Sequence, residues 1–236
     1  MSEQNFDLYR DIAKRTDGDV YIGVVGPVRT GKSTLISRMM EELVLSRMAA
    51  GAELERLTDE LPQSGSGKTI MTTQPKIVPS EAVSVTLDDQ SSVRVRMVDS
   101  VGYLVEGALG TEEDGASRMV HTPWFDYDIP FEQAAEIGTR KVITDHATIG
   151  LVVTTDGSIA DLSREAYQQP EERVVRELKE IGKPFILILN SRHPEAEETQ
   201  ALRQRLGERY GVPALSLNVK EMGLTEIQQV FEEVLY

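Results

Sequence analysis

The chain carries one short run that dictates its surroundings: Gly26-Pro27-Val28-Arg29-Thr30-Gly31-Lys32-Ser33, a complete G-x-x-x-x-G-K-[ST], continued by Thr34. Before it stands Val20-Tyr21-Ile22-Gly23-Val24-Val25, apolar enough for a buried strand. After it, Leu35, Ile36, Met39, Met40, Leu43 and Val44 recur on one side of a helix predicted from Lys32 to Met48. Strand, glycine-rich loop and helix in that order are the context this motif requires. Glycines let the loop curl so that its N–H groups converge at a helix N-terminus, which carries about half a positive charge. Such a nest suits phosphate: the loop from Gly26 to Thr34 would cradle it, Lys32 would reach the β- and γ-phosphates, and the Ser33 hydroxyl would ligate Mg2+. A nucleoside triphosphate site is the expectation; a glycine-rich turn with no ligand is the simpler alternative, against which motif, strand and helix all weigh. A second G-K-T, Gly67-Lys68-Thr69, has Pro62 where the first glycine belongs and no strand before it, and reads as loop.

The partner motif is Val98-Asp99-Ser100-Val101-Gly102, a D-x-x-G at the end of a strand that alternates with period two. Asp99 can hold Mg2+ through water, and the Gly102 N–H can approach a γ-phosphate. Asp156 in Asp156-Gly157-Ser158 is a second-choice metal carboxylate that reads more simply as a turn. Between the motifs, in Thr69-Ile70-Met71-Thr72-Thr73, either Thr72 or Thr73 is expected to complete the Mg2+ shell and report the γ-phosphate, with ordinary loop threonines as the competing reading.

The nucleotide base is addressed by Leu189-Asn190-Ser191-Arg192-His193, where guanine-binding proteins place N-K-x-D. Asn190 matches and is expected at the nucleotide, but Ser191 replaces the lysine and His193 the aspartate. That aspartate accepts two hydrogen bonds from guanine, and without it adenine is no longer rejected by an unpaired polar group. ATP is therefore favoured over GTP. Tyr103 and Leu104 follow Gly102 where many GTPases carry a water-positioning glutamine, so slow hydrolysis is expected unless another group supplies the stabilisation. Arg29 is a candidate for that role, and an ordinary surface arginine is the equal alternative.

Apolar strands separated by helical patterns predict an α/β fold, a mostly parallel sheet covered by helices on both faces, in one domain spanning residues 1–236. The expected elements are the strand and helix around the loop, a mobile connection over about 49–79, and a hairpin of Val83–Leu87 with Val93–Val98. An insertion over about 103–130 follows, then a helix Glu132–His146, a strand Gly150–Thr154, a helix Glu171–Ile181 and a strand Pro184–Leu189. A charged helix Glu195–Tyr210, a strand Pro213–Leu217 and a helix Thr225–Val234 complete the chain. The insertion holds the one tryptophan, Trp124, among Pro123, Phe125, Tyr127 and Phe131. It reads as a satellite core, a cap over the nucleotide or a subunit contact.

With 25 Lys+Arg against 39 Asp+Glu the net charge is −14, which excludes broad binding to nucleic acid or an anionic membrane. Phosphate must then be met in a confined pocket. The 40% hydrophobic content supports a core, and the absence of cysteine removes disulfides, zinc–thiolate sites and Cys nucleophiles. No apolar segment resembles a secretory signal or a membrane span, so direct membrane insertion is not expected.

Several further stretches resemble the stage IV sporulation protein A family of endospore-forming bacteria: Gly23 to Thr34, Asp59-Glu60-Leu61-Pro62-Gln63-Ser64, Gly67 to Thr73, Val98 to Tyr103, His121-Thr122-Pro123-Trp124-Phe125, Glu136 to Ile143, and Lys183 to Ile186. The resemblance implies a P-loop NTPase fold related to translation-factor-like GTPases but using ATP with Mg2+. In it Lys32 is the loop lysine, Asp99 the metal-site aspartate, and Thr72 or Thr73 the sensor. It further implies slow ATP hydrolysis that drives self-assembly into a polymeric spore-coat basement layer on the forespore surface, in the mother-cell cytoplasm. The implied partners are further copies of the chain, a small amphipathic membrane-adaptor peptide and other spore-coat proteins. Middle and C-terminal regions of the family lie beyond Tyr236. A GTP-dependent switch with a non-standard base pocket and a scaffold merely stabilised by nucleotide remain the alternatives.

Overall fold

The computed structural model describes residues 19–48, 50–62, 75–86, 92–108, 111–113 and 115–235. In chain order the strands are β1 (Asp19–Val25), β2 (Lys76–Thr86), β3 (Ser92–Asp99), four two-residue strands β4 (Glu112–Glu113), β5 (Ala116–Ser117), β6 (Met119–Val120) and β7 (Ile129–Pro130), then β8 (Ile149–Thr155), β9 (Phe185–Asn190) and β10 (Ala214–Leu217). The helices are α1 (Lys32–Leu43), α2 (Ala52–Glu60), α3 (Phe131–Lys141), α4 (Arg164–Glu180), α5 (Glu197–Tyr210) and α6 (Leu224–Leu235).

Six strands form the main sheet in the order β10-β9-β8-β1-β3-β2. Strands linked through helices run parallel, while β2, joined to β3 by a few residues, is antiparallel as a short connection demands. Alternation along each strand divides the apolar residues between two faces. Ile22, Val24, Leu151, Val153 and Ile188 meet Leu35, Ile36, Met39 and Met40 of α1 and Ile227, Val230 and Phe231 of α6. Val25, Val98, Val152, Leu187 and Leu189 meet Val174, Val175 and Leu178 of α4 and Leu206 and Tyr210 of α5 on the other face. Each such aliphatic side chain contributes about 1.5–3 kcal/mol on burial. The predicted architecture is the observed one.

The register carries the functional consequence. Val24 pairs with Asp99, Val25 with Val152, Thr155 with Asn190, and Asn190 with Leu217, so the C-terminal ends of five strands share one edge.

Several boundaries differ from expectation. Helix α1 ends at Leu43, and Leu45–Arg47 tighten into a 3-10 turn. The connection over 49–79 contains α2, which buries Leu57 but little else and so leaves almost no apolar period to detect. Helix α4 starts seven residues before the expected Glu171, because Pro170 lies inside it rather than ahead of it. The lost N–H costs one bond, and the Arg164–Glu171 ion pair at 2.6 Å spans that position. After α3 the chain continues in a wide π turn, Val142–His146. The insertion forms the small hairpins β4–β5 and β6–β7 and a third apolar cluster, in which Val28 and Val101 meet Val120, Ile129, Phe131 and Tyr167, with Phe125 packed against it. Among the described residues no helix is long and apolar enough to cross a membrane.

Candidate functional site

At the shared strand edge the loop after β1 turns directly into α1. Gly31 before the helix offers no capping side chain, and the first turn of α1 holds no acidic residue of its own. Gly31, with φ of 93°, is where the chain enters the helix. A Cβ there would lie 2.4 Å from the Asn190 amide nitrogen, so both conformation and space call for glycine.

Loop and D-x-x-G segment are joined by side chains. Ser33 Oγ donates to Asp99 Oδ2 at 2.8 Å, across 66 residues of sequence. Asp99 is buried, and among the described residues its other oxygen, Oδ1, has no hydrogen-bond partner. Burial pushes its carboxyl up, and the Ser33 hydroxyl and the Lys32 charge pull in the opposite direction. A buried carboxylate oxygen without a partner, beside a hydroxyl, is a donor pair suited to a hard cation. Among the described residues no cluster of three or more His, Asp or Glu could hold a metal. A divalent ion at Asp99 would therefore complete its shell with water and ligand oxygens, which is the habit of Mg2+.

Lys32 is buried and its Nζ donates to the Pro27 carbonyl at 2.6 Å. Desolvation lowers its pKa to about 8, with Asp99 acting in the other direction. The Lys32 amine thus stands inside the protein at the first turn of α1. A Cβ at Gly102 would lie 2.5 Å from that Nζ and 2.6 Å from the Gly26 carbonyl, so only glycine lets the D-x-x-G turn close on the loop.

Of the loop residues expected to cradle phosphate, two are committed elsewhere. Pro27 has no N–H, and its carbonyl accepts both Lys32 Nζ and Thr30 Oγ1. The Val28 N–H donates to the Tyr103 carbonyl at 2.9 Å. A phosphate at this loop would have to be met by the residues that follow. Arg29 has φ of 62°, rare for a side chain with a Cβ, and Thr34 lies partly buried in the first turn of α1.

Asn190 sits behind the loop: its Nδ2 donates to the Thr30 carbonyl at 2.9 Å and its Oδ1 accepts from the Val219 N–H at 3.2 Å. It ties together the segments after β1, β9 and β10. Ser191 Oγ donates to Asp156 Oδ2, and Asp156 also accepts from the Ser158 N–H and hydroxyl and from Thr199. Partial burial pushes Asp156 up, and the Ser158, Ser191 and Thr199 contacts outweigh it, holding the carboxyl below the usual range. Asp156 is therefore a turn-closing acceptor with its oxygens taken, as the simpler reading had it. Thr72 and Thr73 lie outside the described residues.

Two features carry no sequence signature. The Gly102 N–H donates to Thr139 Oγ1 of α3 at 2.9 Å. The Tyr103 side chain is engaged by α4: its hydroxyl donates to Glu177, and the Arg173 guanidinium lies 4.1 Å from the ring centroid while binding Glu136 and Glu177. Burial first, and Glu177 second, push the Tyr103 hydroxyl pKa well up, so it stays protonated.

A family model described as "Stage IV sporulation protein A, ATPase domain" matches residues 3–236. The chain is 56% identical over 232 residues to a curated protein called Stage IV sporulation protein A from Clostridioides difficile (strain 630), covering 98% of this chain and 47% of that protein. It is 53% identical over 233 residues to the protein of that name from Bacillus subtilis (strain 168), and 50% identical over 233 residues to the one from Bacillus anthracis, in each case covering 99% of this chain and 47% of the relative. The chain spans about half the length of the curated relatives it matches.

Proposed function

The chain belongs to the ATPase-domain family of stage IV sporulation protein A, and from that premise we propose that it binds ATP with Mg2+ at the loop after β1 and hydrolyses it slowly. The observation that carries this reading is the Ser33–Asp99 hydrogen bond, with Asp99 Oδ1 left without a partner among the described residues, beside the buried Lys32. Ser33 and Asp99 would hold Mg2+, whose charge neutralises phosphate oxygens when it is bound. Lys32, released from the Pro27 carbonyl, would place its ammonium on the β- and γ-phosphates, and the N-terminal turn of α1 would add its dipole. Thr72 or Thr73 would complete the metal shell.

Slow turnover follows from Tyr103. At the position where a side chain could orient the attacking water, its hydroxyl is held by Glu177 and its ring by Arg173. ATP rather than GTP follows from Ser191 and His193 in place of lysine and aspartate. In the whole protein, the nucleotide state would govern self-assembly into a coat layer on the forespore surface. The membrane-adaptor peptide and other coat proteins would be met through regions beyond this chain.

Equilibrium binding of ATP and GTP, with Mg2+ and with EDTA, together with phosphate release, tests the proposal on the chain and on Lys32→Ala. Expected are tighter binding of ATP than GTP, dependence on Mg2+, and phosphate release above the Lys32→Ala level. Equal release by the two proteins would refute hydrolysis at this loop.

A further inference from the structure

The Gly102 N–H, the group a D-x-x-G turn offers to a terminal phosphate, has a partner in the protein already. It donates to Thr139 Oγ1 at 2.9 Å, and the Thr139 side chain is completely buried. A buried backbone N–H requires an acceptor, so this amide has two competing ones: the hydroxyl on α3 and a phosphate oxygen. The neighbouring residue, Gly138, is where other segments converge. A Cβ on Gly138 would lie 3.2 Å from Trp124 Cη2 and 3.3 Å from Pro75 Cδ, so a bare backbone lets both close on the same turn. The Lys141 ammonium stands 5.9 Å from the Trp124 ring centroid. One turn of α3 therefore touches the D-x-x-G segment, the insertion, and the proline two positions after Thr73.

We propose that Thr139 is a positioning residue that holds the Gly102 amide while no terminal phosphate is present, and that a nucleoside triphosphate takes the amide from it whereas a diphosphate does not. Displacement of the Gly138-Thr139 turn then passes the state of the site to Trp124. The inference rests on the reading that the loop after β1 binds a nucleoside triphosphate. Chemistry favours the exchange: an anionic oxygen is a stronger acceptor than a neutral hydroxyl, and the Lys32 ammonium lies close against Gly102, where it would draw a phosphate toward this turn. The hydroxyl that loses the amide is not stranded, because a helical threonine can donate to the carbonyl four residues earlier, here that of Ala135.

The test uses the chain, Thr139→Val and Thr139→Ser, each titrated with Mg2+ plus a non-hydrolysable ATP analogue and with Mg2+ plus ADP. Valine keeps the shape and removes the resting acceptor, so the ratio of analogue affinity to ADP affinity is expected to rise about tenfold. Serine is expected to keep the original ratio. A merely structural role would change both affinities together and leave the ratio alone. In the unsubstituted chain, emission from Trp124, the one tryptophan, is expected to shift with the analogue and not with ADP. An unchanged ratio in Thr139→Val, or the same emission with both nucleotides, overturns the inference. Should Thr139→Val not fold, the emission comparison decides alone. If the unsubstituted chain binds neither nucleotide, the triphosphate site itself is refuted; if it binds both and the ratio and emission do not move, only the role of Thr139 falls.

Discussion

Replacing Asn190 with alanine separates holding the loop from reading the base. Asn190 is 4% exposed and satisfies two buried backbone groups, the Thr30 carbonyl and the Val219 N–H, both in residues with no exposure. Each group left unpaired costs about 1–3 kcal/mol. Losing both therefore lowers the stability of the ligand-free chain by about 3 kcal/mol, with some relaxation allowed for. For a chain of this length that corresponds to a fall in Tm of about 6–12 °C. Because the damage is to the loop and not to any base contact, ATP and GTP are expected to weaken by the same factor. Urea unfolding without ligand gives the first quantity, and competition of the two nucleotides against a labelled analogue gives the second. Stability within about 0.5 kcal/mol of the original, accompanied by an altered ATP:GTP preference, would refute the buttress and make Asn190 a base-reading residue.

Asp99→Asn keeps an acceptor for Ser33 but removes a charge that burial disfavours; the ligand-free melting temperature is expected to hold or rise while the effect of Mg2+ on nucleotide affinity disappears, measured by calorimetry with and without EDTA. Glu171→Ala leaves the Arg164 guanidinium, 13% exposed and held at 2.6 and 2.8 Å, without its carboxylate, along with the Thr154 and Tyr210 hydroxyls. A loss of about 3–5 kcal/mol in urea unfolding is expected, part of it recovered by the double substitution Arg164→Met with Glu171→Leu, which removes the unpaired guanidinium but still leaves the Thr154 and Tyr210 hydroxyls without Glu171. Asp156 has a folded pKa below the ordinary 3.8, so the folded state binds its proton less readily than the unfolded one. Its contribution is present above that value and lost as pH falls through the folded one. The stability gap between the chain and Asp156→Asn is expected to be widest near neutral pH and to close below pH about 4.

Where function demands a fixed local pattern, the chain is readable. Ser33 and Asp99 are far apart in sequence, yet both are picked out by motifs that need particular residues at particular spacings, and the structure brings the two side chains together. Strands such as Phe185–Asn190 are legible for another reason, since burial on both faces leaves an unbroken apolar run. The rest depends on contacts that no local pattern encodes. Asn190 is found at its strand end, but its partners, Thr30 and Val219, come from two other loops. Thr139 is one threonine in an amphipathic helix, and nothing nearby marks its hydroxyl as the acceptor for Gly102. Proline usually opens or breaks a helix, so Pro170 conceals the first turns of α4. Tyr103 stands out only as the wrong residue for positioning water; its engagement with Glu177 and Arg173 comes from α4, about seventy residues later.

The segment from Asp99 to Tyr103 is fastened at nearly every step. Asp99 is bonded to Ser33, the Ser100 hydroxyl donates to the Val24 carbonyl at 2.8 Å, and the Tyr103 carbonyl accepts the Val28 N–H. What is left to move is essentially the peptide unit between Val101 and Gly102, whose one described bond, from the Gly102 N–H to Thr139, is the bond a terminal phosphate would take. Motion confined between such anchors is a rotation of peptide planes, belonging to fast local dynamics and not to the slower excursions of long loops. Nucleotide sensing built on this segment would respond quickly and over a short throw, and any delay in the cycle would have to arise at another step.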